Sequence, residues 1–191
     1  MSKDTYDIIL ERRSIRSFKQ KEIDFEILKK CVNAARLAPS AANLQPLEFI
    51  IVNEKKSCST IFNALGFAGY LKQWNPKESE SPAAYIVILC NDQNNKWYER
   101  DASFAAENIA LTAESKNIGS CVLCNIDKER IREILKIPEK IIIDSVVALG
   151  YKNEKSVIED YTNSVKYYKD KDNVLHVPKK KLESVMHINK F

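Results

Sequence analysis

The chain has 191 residues, 45% of them hydrophobic and 29% charged, with a formal net charge of +4 at pH 7. This length gives one hydrophobic core with room for an appended tail, and the composition is that of a globular protein. Acidic residues interleave with the basic ones, leaving no continuous stripe for nucleic acid, and the longest apolar run, Ala83 to Cys90, is far below the roughly 18 residues of a membrane span.

The first seven residues carry charge without an apolar block, so no export signal is expected. Asp24 is a good N-cap, and Phe25, Leu28, Val32 and Ala35 recur at helical spacing until Pro39, which predicts a helix over 25–37. Leu47 to Val52 and Ala83 to Cys90 are apolar, β-branched runs that each follow a proline and are expected as buried strands. From Asp101 to Ile118 alanines fall on one face and Gly119 stands where a helix ends, predicting the longest helix. A turn or strand over 120–123, a helix over 128–136 and a strand over 141–149 follow. Helices and strands mix without a βαβ rhythm, so an α+β sandwich is expected rather than a doubly wound sheet. After Gly150 a polar, tyrosine-bearing stretch, Lys152 to Asp172, adds little to a core and is expected to wrap a second subunit. Val174 to Val177 is apolar, and a lysine run and a short helix end the chain.

Much chemistry is excluded by composition. The four glycines, Gly66, Gly69, Gly119 and Gly150, form neither a dinucleotide fingerprint nor a P-loop. His176 and His187 have no metal-ligand spacing and read as surface or packing residues, so no metal is expected. No G-x-S-x-G elbow seats a hydrolase nucleophile. Five cysteines without a framework spacing suit reduced thiols in a cytoplasm. Cys121 and Cys124 have the spacing of a redox or zinc half-site but lack its context, and read as structural thiols.

Two segments remain. Arg12-Arg13-Ser14-Ile15-Arg16-Ser17-Phe18 sets three guanidinium groups and a hydroxyl within five residues, chemistry suited to a phosphate, although a solvated basic helix end would look the same. Pro39-Ser40-Ala41-Ala42-Asn43-Leu44-Gln45-Pro46 is a helix stop and a rigid loop between prolines. In this order the two resemble the nitroreductase family, with its R-x-S-x-(R/K)-x-F motif followed by a P-S-x-x-N-x-Q-P loop. Asp101 to Asp127, Val147 to Tyr151 and His176 to Lys180 are similar to later elements of that family.

The resemblance implies a single nitroreductase-like domain over 1–191. Its fold would be an α+β three-layer sandwich, a mixed, mainly antiparallel sheet flanked by helices, with residues from about 152 onward wrapping the partner of a homodimer. It implies FMN as cofactor, with Arg12, Arg13 and Ser14 on the phosphate side, helped by a lysine among Lys179, Lys180 and Lys181. Arg16 would lie beside the flavin pyrimidine and stabilise the reduced ring. Pro39, Ser40, Ala41 and Asn43 would come from the partner subunit, and Leu123, Cys124 and Asn125 would contact the N5 edge. The implied activity is ping-pong transfer of hydride from NADH or NADPH to a small acceptor such as a nitroaromatic or quinone. The alternatives are a specialised flavin reductase or dehalogenase, for which the stretch Phe67 to Pro82 is the candidate lid, and a non-catalytic FMN-binding or redox-sensing protein. Leu47 departs from the aromatic residue that often follows the Q-P pair, and Cys124 and Asn125 stand where glutamate and glycine are common.

Overall fold

The computed structural model describes residues 4–71 and 76–191, which divide into two compact units. The first comprises residues 4–67 and 76–153, and the second residues 68–71 and 154–191.

The first unit is built on an antiparallel sheet of β1 (Phe18–Lys19), β2 (Leu47–Val52), β3 (Ala84–Cys90), β4 (Ile118–Leu123) and β5 (Ile142–Lys152). β5 is the hub: β4 lines one of its edges, and β3 and β1 pair with it as well, with β2 beyond β3. All seven residues of β3 are buried, because the strand alternates between two apolar layers. Tyr85, Val87 and Leu89 face a core shared with α3 (Lys55–Phe62) and α5 (Lys128–Leu135). Ala84, Ile86 and Ile88 face a core shared with α2 (Phe25–Arg36) and α4 (Tyr98–Glu114). A register shift opposite Ile88 and Leu89 skips Asp144, so Ile143 and Val146, three positions apart, reach the same core. Burying each such isoleucine contributes about 1.5–3 kcal/mol, and these two layers hold the sheet between them.

The caps explain the helix boundaries. The Asp24 carboxylate accepts the Glu26 N–H at 2.9 Å to open α2, and that of Asp127 accepts the Arg130 N–H at 3.0 Å to open α5. α1 (Thr5–Glu11) opens on Asp4 and ends at Arg12. Neither α1 nor α3 is foreseen from the sequence: α1 buries no residue, and α3 has only Cys58 and Ile61 in the core, so neither shows a long apolar period. The longest helix is Tyr98–Glu114 rather than 101–118. Asn117, at φ 58°, takes the left-handed position expected of glycine, and Ile118 and Gly119 lie inside β4. The last strand of this unit runs to Lys152 rather than 149.

The second unit carries β6 (Ser156–Asp160), β7 (Tyr168–Lys169) and β8 (Leu175–Lys179) in the order β6-β8-β7, with β6 parallel and β7 antiparallel to β8. Asp170 closes the turn before β8 by accepting the Asp172 and Val174 N–H groups at 2.9 and 2.8 Å. Its described buried apolar side chains are Ala68 and Leu175, so hydrogen bonds and ion pairs such as Lys169 to Glu154, at 3.2 Å, carry much of its order. Leu182, Val185, Met186, Ile188 and Phe191, near the end of the chain, are exposed. Among the described residues no helix is long and apolar enough to cross a membrane.

Candidate functional site

The arginine segment is held by two glycines. Gly119 and Gly150 are direct partners across β4 and β5. A Cβ on Gly119 would lie 2.9 Å from the Ile15 side chain, and one on Gly150 would lie 2.6 Å from the Phe18 ring. The paired glycines therefore form a notch that Ile15 and Phe18 fill, both buried in the α3/α5 core. The Ile15 N–H donates to the Ser120 carbonyl at 2.8 Å, and Ser14 bridges Ser120 in parallel register. Burial of Ile15, Ser17 and Phe18 leaves Arg12, Arg13, Ser14 and Arg16 only partly covered.

Each guanidinium is oriented. Arg12 meets Glu107 of α4 at 3.3 Å. Arg13 donates to the carbonyls of Leu10, at 2.5 Å, and of Arg12, which caps the last turn of α1. Burial and the neighbouring Arg12 charge pull the Arg13 pKa below its ordinary value, and Glu114 opposes them. Arg16 donates to the Ser14 carbonyl at 3.3 Å. Glu114, 3% exposed, is matched by Lys152 at 2.5 Å. The result is a cluster of positive charge backed by carboxylates of α4, an arrangement that can receive an anion without losing its own order.

The proline-bounded loop is the most distorted segment of this unit. Ala42, Asn43 and Gln45 all have left-handed backbones, at φ 50°, 55° and 50°. A non-glycine residue there costs on the order of 1 kcal/mol and persists only where the surroundings impose it. The ties are specific: Gln45 N–H donates to Ser40 Oγ at 3.1 Å, Asn43 N–H to the Ser40 carbonyl at 3.0 Å, and Ala41 N–H to Asp101 Oδ1 at 3.1 Å. A cleft of about 130 Å³ lies beside Pro39, Ser40 and Pro46. A larger cleft of about 720 Å³, lined by Glu48, Ile50, Leu135 and Ile141 among others, contains none of the motif residues.

Leu123 ends β4 in the core, whereas Cys124 and Asn125 are exposed. Their loop is fixed by Gly66, whose N–H donates to the Asn125 carbonyl at 2.8 Å and whose missing side chain admits the Asn125 amide. Cys121 is buried and Cys124 exposed, and both are free thiols. Burial and Asp144 raise the Cys124 pKa, with Lys128 opposing. In the second unit, Lys179 ends β8, Lys180 is exposed, and Lys181 meets Asp160 at 3.4 Å. Residues 72–75 of the expected lid lie outside the described residues, and Tyr70, from the same stretch, packs on Tyr167 with ring centroids 5.1 Å apart.

The structure thus seats the segment that carries Arg12, Arg13, Ser14 and Arg16 in one notch through Ile15 and Phe18. It also ties two of the expected segments to one helix, since the partners of Arg12 and Ala41 on α4 are six residues apart, roughly 9 Å along the axis. Sequence reasoning missed Asp101 and Glu107, whose partners lie 60 and 95 positions away and leave no local pattern. His176 is also more than a packing residue. Its two ring nitrogens face Glu159 at 3.1 Å and Asp170 at 3.0 Å, and it stacks on Tyr168 at 5.0 Å.

Known proteins share this fold. The profile of the Nitroreductase family matches residues 9–151, from α1 to the end of the central sheet, and the chain belongs to that family. A provisionally named NADH dehydrogenase/NAD(P)H nitroreductase of Archaeoglobus fulgidus is 36% identical over 162 residues, covering 80% of this chain and 88% of the relative. The solved structure of an FMN-dependent nitroreductase from Clostridium difficile R20291 superposes with a TM-score of 0.69 at 29% identity, over 96% of this chain and 98% of that one. An iodotyrosine deiodinase of Thermotoga neapolitana is 23% identical and covers 78% of this chain and 89% of the relative.

Proposed function

We propose that this chain binds FMN and acts as an NAD(P)H-dependent oxidoreductase. The observation that carries the reading is the segment of Arg12, Arg13, Ser14 and Arg16, partly exposed and fixed by Ile15 and Phe18 in the Gly119–Gly150 notch, in a family whose C. difficile member is an FMN-dependent nitroreductase. The donors fit the group: forked guanidinium groups and a hydroxyl suit a phosphate, and the α4 carboxylates orient those cations while leaving them partly open.

In this reading Arg12, Arg13 and Ser14 hold the phosphate, with a contribution from Lys179, Lys180 or Lys181. When bound, FMN supplies the redox chemistry, accepting hydride from NADH or NADPH and passing electrons to a nitroaromatic, quinone or related acceptor in two separate half-reactions. Arg16 holds a fixed positive charge where negative charge develops, which requires no reorganisation at the moment of reaction. Leu123, Cys124 and Asn125 form one wall and control access. Pro39, Ser40, Ala41 and Asn43 form another, contributed by a second copy of the chain. The exposed apolar side chains of the last ten residues support a homodimer in which the tail lies on that second copy, since such groups in a row mark an interface. Five free cysteines suit a reducing, cytoplasmic setting.

The test is a titration of FMN into the purified protein, followed by flavin fluorescence: saturation at one FMN per chain supports the reading, and no binding refutes it. The T. neapolitana relative motivates a second reading for the acceptor, reductive dehalogenation. Turnover of iodotyrosine but not of nitroaromatics would select it.

A further inference from the structure

Asp101 is an anomaly in the first turn of α4. It is 3% exposed, followed by the small buried residues Ala102 and Ala105, and its Oδ2 has no hydrogen-bond partner among the described residues. A buried carboxylate that is only half bonded opposes folding, and alanine would fill such a position without that cost. Its other oxygen accepts one hydrogen bond, from the Ala41 N–H at 3.1 Å. Ala41 opens the turn in which Ala42 and Asn43 take left-handed backbones, and the remaining ties of that turn, Asn43 to Ser40 and Leu44 to Ala41, are internal to the loop. A loop cannot fix itself relative to the sheet by bonds to itself. The Asp101 contact joins its strained turn to the rigid helix that also holds Arg12 through Glu107.

We infer that Asp101 is a positioning residue: by holding the Ala41 N–H it imposes the left-handed turn at Ala42 and Asn43, and through that turn it sets the loop atoms that meet the flavin. The inference rests on the flavin reading above for its second half and on this chain's geometry for its first. The placement of the carboxylate near the start of a 17-residue helix, where the helix dipole favours negative charge, keeps the acceptor available to the loop.

The test compares Asp101→Ala with Asp101→Asn, which keeps a carbonyl acceptor. Amide exchange followed by NMR without flavin reads the anchor, and FMN affinity and the KM and kcat for NADH read its consequence. In Asp101→Ala, exchange rises across Ala41 to Gln45 while the centre of α4 stays protected. FMN binding there weakens on the order of tenfold, as expected for loss of a charge-assisted hydrogen bond that orders a loop. Asp101→Asn restores most of both. Unchanged exchange at Ala41 in Asp101→Ala, or an asparagine variant as impaired as the alanine one, overturns the inference. Should the alanine variant fail to fold, the wild type decides: its Ala41 amide must be protected, and exchange at the rate of a free peptide overturns the anchor. Altered exchange in a protein that binds no FMN at all overturns the flavin reading and leaves the anchor standing.

Discussion

Gly119 and Gly150 face one another across β4 and β5, and the two missing side chains are the space into which Ile15 and Phe18 pack. Two glycines in the interior of a sheet weaken it by themselves, since each loses backbone freedom and packs nothing. Here they admit the segment that carries the arginines. Gly150→Ala should therefore destabilise the protein by about 1–3 kcal/mol through overpacking against the fully buried Phe18 ring. Urea denaturation measures this directly. Because Phe18 is displaced together with its neighbours, FMN affinity should fall in the same variant.

Arg16→Ala should leave the fold intact, since the side chain is only partly buried and donates to the nearby Ser14 carbonyl. Reduction by NADH should slow by at least about tenfold, the loss expected when one fixed charge is removed from developing negative charge. Stopped-flow absorbance provides the rate, and an unchanged value would remove Arg16 from the chemistry.

His176 gives a pH signature. A neutral imidazole donates one hydrogen bond, whereas both of its nitrogens here face carboxylate oxygens, so the protonated ring is the form that fits. Its pKa is accordingly raised, with the Asp170 hydrogen bond as the largest cause, and that of Asp170 is lowered by the same bond. The linkage has a definite sign. The His176 contribution to stability is complete below its unfolded pKa, about 6.5, and is lost as pH rises through the higher folded value. The Asp170 contribution is present above its unfolded pKa and is lost as pH falls through the depressed folded one. NMR titration should give a His176 pKa above that of a model peptide, and Asp170→Asn should lower it.

Cys124 is the exposed thiol, and Cys31, Cys58, Cys90 and Cys121 are buried. Burial pushes Cys31 and Cys58 up to about 11. Labelling of the native protein with a disulfide reagent should therefore show one fast thiol, absent from Cys124→Ser. Its rate should rise with pH well into the alkaline range, because the Cys124 pKa is itself raised. Two fast thiols would mean that one of the four buried cysteines is accessible as well.

Where a signal was local, the sequence disclosed it. Asp24 and the apolar spacing after it mark α2 almost to the residue, and the β-branched runs at 47–52 and 83–90 locate two strands of the sheet. The order of the arginine and proline-bounded motifs pointed to the family. Where the cause was tertiary, it stayed hidden. Gly119 reads as a helix stop, yet its role is set by Ile15, more than a hundred positions earlier. Ala42 and Gln45 give no hint of left-handed backbones, since neither residue type favours them, and Asp101 shows its partner only after folding. The small sheet of the second unit leaves little local mark, because its strands are short and Leu175 is the one residue of β6 to β8 that is fully buried.

The central claim is that the cationic row of Arg12, Arg13, Ser14 and Arg16 serves a flavin that turns over. The most direct measurement is the visible spectrum of the protein reconstituted with FMN, recorded before and after anaerobic NADH or NADPH and again after a nitroaromatic or quinone is added. The account requires a yellow protein that bleaches with the nicotinamide and recovers its colour with the acceptor. A protein that stays colourless after reconstitution, or whose bound flavin is not reduced by either nicotinamide, would contradict it.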